Sequence, residues 1–338
     1  MFFEQLLLHI LQKYDGQRTV FSAYHLLKGK KSGQTIQDVG LFQLQPYFNL
    51  FPRLTKEKFY TQIQHLEQKN KITISEDEHV HVLVAPHLTF DGLDGWHLRG
   101  GEHVFFDRFQ LVVQTISNLR MQETRFLPIV RDERVQQFVR QYLTWLHYQE
   151  EKQQHAFIEA FHQLLEELPV TEQEKNIFMY RLSGFQQIGW TWQQLKEQTN
   201  SSELDLQLQY VHTLHHMIRF IEEHVIALFE PLLYQVRVQT VLTASTQQTA
   251  NLLMQGMNME QIAQIRRLKM STIEDHIAEI AMNVQTFPIE QFVPNEMRLA
   301  IEAVVSEVGS KKLRPIKEKI PEASYFQIRL VLAWAGGV

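Results

Sequence analysis

Residues 245–282 read STQQTANLLMQGMNMEQIAQIRRLKMSTIEDHIAEIAM, a pattern of three short helices joined by tight turns. Gly256 ends the first, Thr246–Gln255, as a glycine at a helix C-terminus does. Asn258 is placed to cap a second helix, MEQIAQIRR, and Ser271 to cap a third, TIEDHIAEIAM. Ala263 is small enough for two helices to cross closely, while Ile262, Leu268, Ile273 and Ile277 supply a shared core. The short connection at Leu268–Met270 is the one a helix-turn-helix demands.

In a DNA-reading motif of this kind the last helix enters the major groove with its early side chains on base edges. Here these are Ser271, Thr272, Glu274, Asp275 and Ala278, and two carboxylates oppose a polyanion. From Ser245 to Glu290 five acids (Glu260, Glu274, Asp275, Glu279, Glu290) outnumber three bases (Arg266, Arg267, Lys269). Beyond Gln291 the balance reverses, with Lys311, Lys312, Arg314, Lys317 and Lys319 in one segment between a helix from Pro294 to Val308, stopped at Gly309, and a last helix from Ser324. The expectation is a docking scaffold whose DNA-facing charge lies downstream of the motif. His276 is expected to cap or pack at the edge of the core.

Upstream, the chain changes texture twice. Residues 1–85 carry apolar periodicity at Phe2–Leu11 and Thr19–Leu27, then Phe59, Ile63 and Leu66 at helical spacing after Thr55, a candidate cap. KITIS and HVHVLV follow, separated by Glu76-Asp77-Glu78, which signals a hairpin. Helices followed by a hairpin predict a winged helix. Pro86, Gly92, Gly95, Gly100 and Gly101 mark a loop and boundary from Ala85 to Gly101. From Phe105 to Val238 helical spacing dominates, broken at Pro128, Pro169 and Gly184–Gly189. The predicted class is mainly α: a winged-helix-like domain over 1–90, an all-helical domain over 91–240 and a helix-turn-helix domain over 241–338.

At 338 residues, with 44% hydrophobic and 21% charged residues, the composition is that of a folded protein. The net charge of −5 gives no general pull toward nucleic acid. Cysteine is absent, which excludes disulfides and thiolate chemistry and fits a cytoplasmic location. Glu4, His9 and Lys13 interrupt the apolar N-terminus, so it reads as an amphipathic helix, and no membrane association is expected.

The motif is similar to the I-A-x-x-L-G-L-S-x-x-T-V-x-x-H pattern of regulators and sigma factors: Ile262, Ala263, Leu268, Thr272, Ile273 and His276 match, and Arg266-Arg267 stand where that pattern has Leu-Gly. With KKLRPIKEKIP at 311–321 and SYFQIR at 324–329, the region resembles the helix-turn-helix domain appended to some RecQ-type DNA helicases. LLKGKKSGQTIQD at 26–38 extends the resemblance to the YpbB-like family of Gram-positive bacteria, whose members are encoded beside a RecQ-type helicase. That resemblance implies a non-enzymatic accessory protein in DNA repair or recombination, with the helicase and DNA as partners. Candidate DNA contacts are Lys28, Lys30, Lys31, Arg266, Arg267, Lys269, Ser271, Thr272, Lys311, Lys312, Arg314, Lys317 and Lys319. The rival expectation is a sequence-specific transcription regulator reading DNA with Ser271–Met282.

Other constellations are weaker. Gly29-Lys30-Lys31-Ser32 lacks the earlier glycine, strand and acidic motif of a phosphate loop and reads as a solvated basic turn. His212 and His216, flanking His215, are an i, i+4 pair able to chelate zinc, but without the Glu of H-E-x-x-H or an evident third ligand they read as a polar helix face. Asp91, Asp94, His97, Glu102 and His103 would serve a metal-dependent hydrolase, yet their spacing fits an ordinary polar loop. Trp190 and Trp192 cannot both face a helix interior, which offers one to a partner. No catalytic group, metal or cofactor is expected.

Overall fold

The computed structural model describes residues 1–238, 242–284, 286–309 and 311–336. In chain order it runs α1 (Phe2–Tyr14), α2 (Val20–Leu27), α3 (Gly33–Leu41), α4 (Lys56–Gln68), β1 (Ile72–Ile74), β2 (Val80–Val82), α5 (Gly95–Leu98), α6 (Gly101–Arg120), α7 (Glu133–Leu146), α8 (Glu151–Glu167), α9 (Glu172–Arg181), α10 (Trp192–Thr199) and α11 (Glu203–His224). After the connection come α12 (Ala244–Met254), α13 (Met259–Arg266), α14 (Met270–Asn283), α15 (Asn295–Val308), α16 (Leu313–Lys319) and α17 (Tyr325–Ala335). The fold is mainly α.

Two compact units divide the chain: Met1–Leu6 with Pro86–Gln239, and Leu7–Ala85 with Thr240–Val338. Segments near the two ends of the sequence therefore share one core. In that unit β1 and β2 pair antiparallel with Ile72 opposite Val82, and Thr19 adds a bridge to His79. Thr55 Oγ1 accepts the Lys58 N–H and starts α4, whose Phe59, Ile63 and Leu66 are buried on one stripe. α14 packs against α12, α13, α17 and α3. Glycines make the approach of α3 possible: a Cβ on Gly40 would collide with the Met282 sulfur, and one on Gly336 would sit 2.6 Å from the Gly40 carbonyl oxygen.

The other unit is built on α6 and α11. Phe105, Phe109, Phe157, Phe178 and Phe229 form its centre, packed mostly edge to face or tilted at 5.2–6.1 Å between rings. Buried Arg108 on α6 donates to the carbonyls of Leu232 and Tyr234 at 2.8 and 2.7 Å, satisfying a turn that would otherwise bury bare acceptors. The glycine-rich stretch expected as loop holds one helical turn, α5. The Asp94 carboxylate accepts the His97 N–H at 3.2 Å and so caps it.

Candidate nucleic-acid interface

The helix-turn-helix is built by local rules at its first two helices. Thr243 caps α12, and Asn258 caps α13 in a reciprocal box with Gln261. Gly256 takes a φ of +82° beyond α12. Ser271 is not the cap of α14. Extended dihedrals fall at Lys269, the helix begins at Met270, and Ser271 lies inside its first turn. The turn itself is closed by Arg267 at φ 51°, the left-handed conformation that glycine would take in the related pattern.

Arg266 is spent inside the motif. Its guanidinium donates to Ser245 O at 2.6 Å, Thr249 Oγ1 at 2.5 Å and Gln248 Oε1 at 3.0 Å, bracing α13 against α12. It also reaches His276 Nδ1 at 3.3 Å, and Thr249 Oγ1 lies 2.8 Å from the same nitrogen. Arginine only donates, so Nδ1 is the acceptor and the imidazole is neutral. Burial, with Arg266 adding, holds His276 below the usual histidine range. As expected, it packs at the core edge.

α14 is enclosed for most of its length. Ile273 and every residue from His276 to Met282 are buried. Glu274 and Asp275 turn to Arg329 of α17 at 3.2 and 2.9 Å, and Asp275 also accepts from Gln37 of α3 at 3.1 Å. The two carboxylates thus hold helices together while staying partly open to solvent. Glu279, buried beside them, accepts from Thr243 N and Thr246 Oγ1, both at 2.5 Å. Only Lys269, Met270 and Ser271 are exposed at the helix tip, with Thr272 half-covered.

The downstream basic residues are also drawn inward or paired. Lys311 is half-buried, donating its backbone N–H to Gln17 and its ammonium to the Leu41 carbonyl. Lys317 caps the Pro321 and Ala323 carbonyls at 2.6 and 2.8 Å. Lys319 pairs with Glu307 and Arg314 with Glu318, while Lys312 is exposed. At the N-terminal end Lys30 and Lys31 are exposed and Lys28 lies 5.7 Å over the Tyr24 ring. Ser32 Oγ accepts the Thr35 N–H, so this basic turn ends as the cap of α3.

One surface escaped the sequence reading. The outer face of α4 carries exposed Lys56, Lys58, Tyr60, Thr61, Gln64, His65 and Lys69, with Arg53 just before it. Between Arg53 and Lys71 five bases stand against Glu57 and Glu67. The signal was present in LTKEKFYTQIQHLEQKN, but only the buried stripe shows which face is outward.

The polar loop residues are tied into contacts of their own. Asp94 binds His97 Nδ1 at 2.8 Å and Arg237, which also grips Glu222 through two bonds of 2.6 and 2.8 Å. Burial pushes the Asp94 carboxyl up, but the bonds from His97 and Arg237 together outweigh it and hold it well below the usual range. Glu102 and His215 approach to 3.9 Å without forming an ion pair. Burial pushes Glu102 up to about 7 and His215 down to about 3, which keeps the imidazole neutral and places the ionisation of the carboxyl near neutral pH. The Asp94 N–H donates to His215 Nδ1, leaving Nε2 without a hydrogen-bond partner. His103 stacks on Tyr210, and among the described residues no three His, Asp or Glu side chains could hold a metal. Neither tryptophan is bare: Trp190 stacks on Tyr180 at 4.4 Å, and Trp192 meets Tyr210 and Arg181.

These features define a helix-turn-helix protein, and residues 245–332 match the family described as "Helix-turn-helix domain". Over its length the chain is similar to Protein YpbB of Bacillus subtilis (strain 168), with 29% identity covering 98% of this chain and 97% of that protein. No solved structure matches it. Among the described residues no helix is long and apolar enough to cross a membrane.

Proposed function

We propose that this chain is a non-enzymatic cytoplasmic accessory protein of a RecQ-type DNA helicase in repair or recombination, with DNA contacted through basic residues rather than along α14. The enclosure of α14 by α3 and α17 carries the reading. With His276 to Met282 buried, only the tip of the helix, Lys269–Thr272, is open to a groove, and this favours a scaffold role for the motif. The KLRPIKE and YFQIR segments that resemble helicase-appended domains favour a helicase as the partner. Exposed bases able to meet phosphates include Lys30, Lys31, Lys56, Lys58 and Lys269.

Fluorescence anisotropy with duplex and single-stranded DNA over a salt series tests the DNA contact. Replacing Lys30, Lys31, Lys56 and Lys58 with Glu is expected to weaken binding at least tenfold and to flatten the salt dependence by about 0.9 in slope for each duplex phosphate no longer neutralised. Thr272→Asp is expected to change affinity less than twofold. A random-sequence selection that returns one enriched motif, abolished by Thr272→Asp, would establish the regulator instead. Failure of the tagged chain to retain a helicase from cells, with unwinding unchanged on mixing, would sink the accessory role.

A further inference from the structure

We propose that His212, His216 and the main-chain carbonyl of Asp91 form a binding site for one divalent ion of the zinc, nickel or copper class, with Glu174 orienting His212. All four belong to the unit built on α6 and α11. The two histidines are one helical turn apart on α11, and their Nε2 atoms lie 3.2 Å from each other. The Asp91 carbonyl oxygen lies 3.0 Å from one and 2.9 Å from the other. Two imidazoles on a tetrahedral zinc at roughly 2.0–2.1 Å have their nitrogens about 3.3 Å apart, so the pair is already at chelating separation.

Each part of the triangle has its own cause. Gly92 holds φ at +85°, and a Cβ there would fall on the His216 ring, so only glycine lets the Asp91 carbonyl come this close. Glu174 is buried, and its Oε2 accepts from Thr171 N at 2.8 Å and Thr171 Oγ1 at 2.7 Å. That leaves Oε1, 2.7 Å from His212 Nδ1. A carboxylate fixed there accepts a hydrogen bond from Nδ1–H and leaves the lone pair on Nε2, the relay that orients histidines on metals. His212 Nε2, His216 Nε2 and the Asp91 carbonyl oxygen then face one another within 3.2 Å, an arrangement satisfied either by the His216 Nε2–H or, with both imidazoles protonated at Nδ1, by a cation. The contact of His212 with Asp91 lies at the surface, so water can take the fourth position. Imidazole donors suit zinc, nickel and copper, and the main-chain oxygen makes the site a chelate rather than a closed cage. Bound metal would pin the loop after Phe90 to α11.

The test uses the full-length chain without a histidine tag, stripped with EDTA and titrated with Zn²⁺ and with Ni²⁺ by calorimetry. One equivalent is expected to bind. His212→Gln and His216→Gln are expected to weaken that binding at least tenfold, whereas His65→Gln and His81→Gln, on exposed histidines, leave it unchanged. Two further variants keep both imidazoles. Glu174→Gln preserves the capping of α9 and is expected to weaken binding roughly 10–100-fold, and Gly92→Ala at least tenfold. Zn²⁺ is expected to raise the thermal midpoint of the wild-type chain but not of the His212→Gln/His216→Gln chain. Absence of stoichiometric uptake, or uptake that survives all four changes, would overturn the site: a proton alone would then bridge the triangle, and any bound metal would be adventitious.

Discussion

At the residue scale, short-range chemistry was legible. Thr55 and Asn258 announce their caps because partner and cap lie three residues apart. Ser271 misled because the position of a cap depends on how the preceding turn closes, and that is fixed by Arg267. An L-residue in the left-handed region costs about 1 kcal/mol or more. Arg267→Gly is therefore expected to stabilise the chain by roughly 0.5–1 kcal/mol in urea unfolding, whereas Arg266→Ala, which strips four acceptors of their donor, should cost about 2 kcal/mol. Glu102 gives a pH signature. Its folded value of about 7 lies above the ordinary 4.5, so its neutral form contributes stability at acid pH that is lost as pH rises through 7. His215 has the opposite sign, its contribution being present above 6.5 and lost as pH falls toward 3. Comparing Glu102→Gln with wild type isolates the carboxyl: the variant should gain up to about 3 kcal/mol relative to wild type between pH 5 and pH 8. No change in that difference would show that Glu102 titrates normally.

At the scale of the element, periodicity located the helices but could not say what covers them. The stripe Ile262, Ile273 and Ile277 was visible, and all three are fully buried. The cover over Glu274 and Asp275 was not, because Arg329 and Gln37 come from α17 and α3, far away in sequence. Reading the two acids as facing DNA followed from a motif considered without its neighbours. Arg329→Met is expected to destabilise this unit by about 1 kcal/mol, a modest value because the acids keep some solvent. Adding Glu274→Gln and Asp275→Asn should recover most of that loss, and a double-mutant cycle by urea unfolding measures the coupling. The outer face of α4 stayed hidden for the same reason, since exposure is a property of packing and not of spacing.

For the whole molecule, the sequence divides by texture near residues 85 and 240, and the structure joins Leu7–Ala85 to the C-terminal segment through α3, α14 and α17. Texture reports local periodicity and carries no information about which segments share a core. A fragment of residues 242–338 loses the α3 cover over Met282 and Gly336, so it should unfold at least 10 °C lower than the same segment in the full chain and bind a hydrophobic dye. Adding residues 1–85 in trans should reverse both changes. Equal midpoints for fragment and chain would show that the last segment is self-sufficient.

That shared core also sets an order of events during synthesis. Leu7–Ala85 leaves the ribosome first, but the helices that complete its interior are made last, after the whole of Pro86–Gln239. At about 5–20 residues per second, the nascent N-terminal segment waits roughly 10–50 s with Val39, Gly40 and Leu41 uncovered, in need of a chaperone or exposed to proteases. Premature termination anywhere after residue 240 therefore harms the beginning of the chain as much as its end.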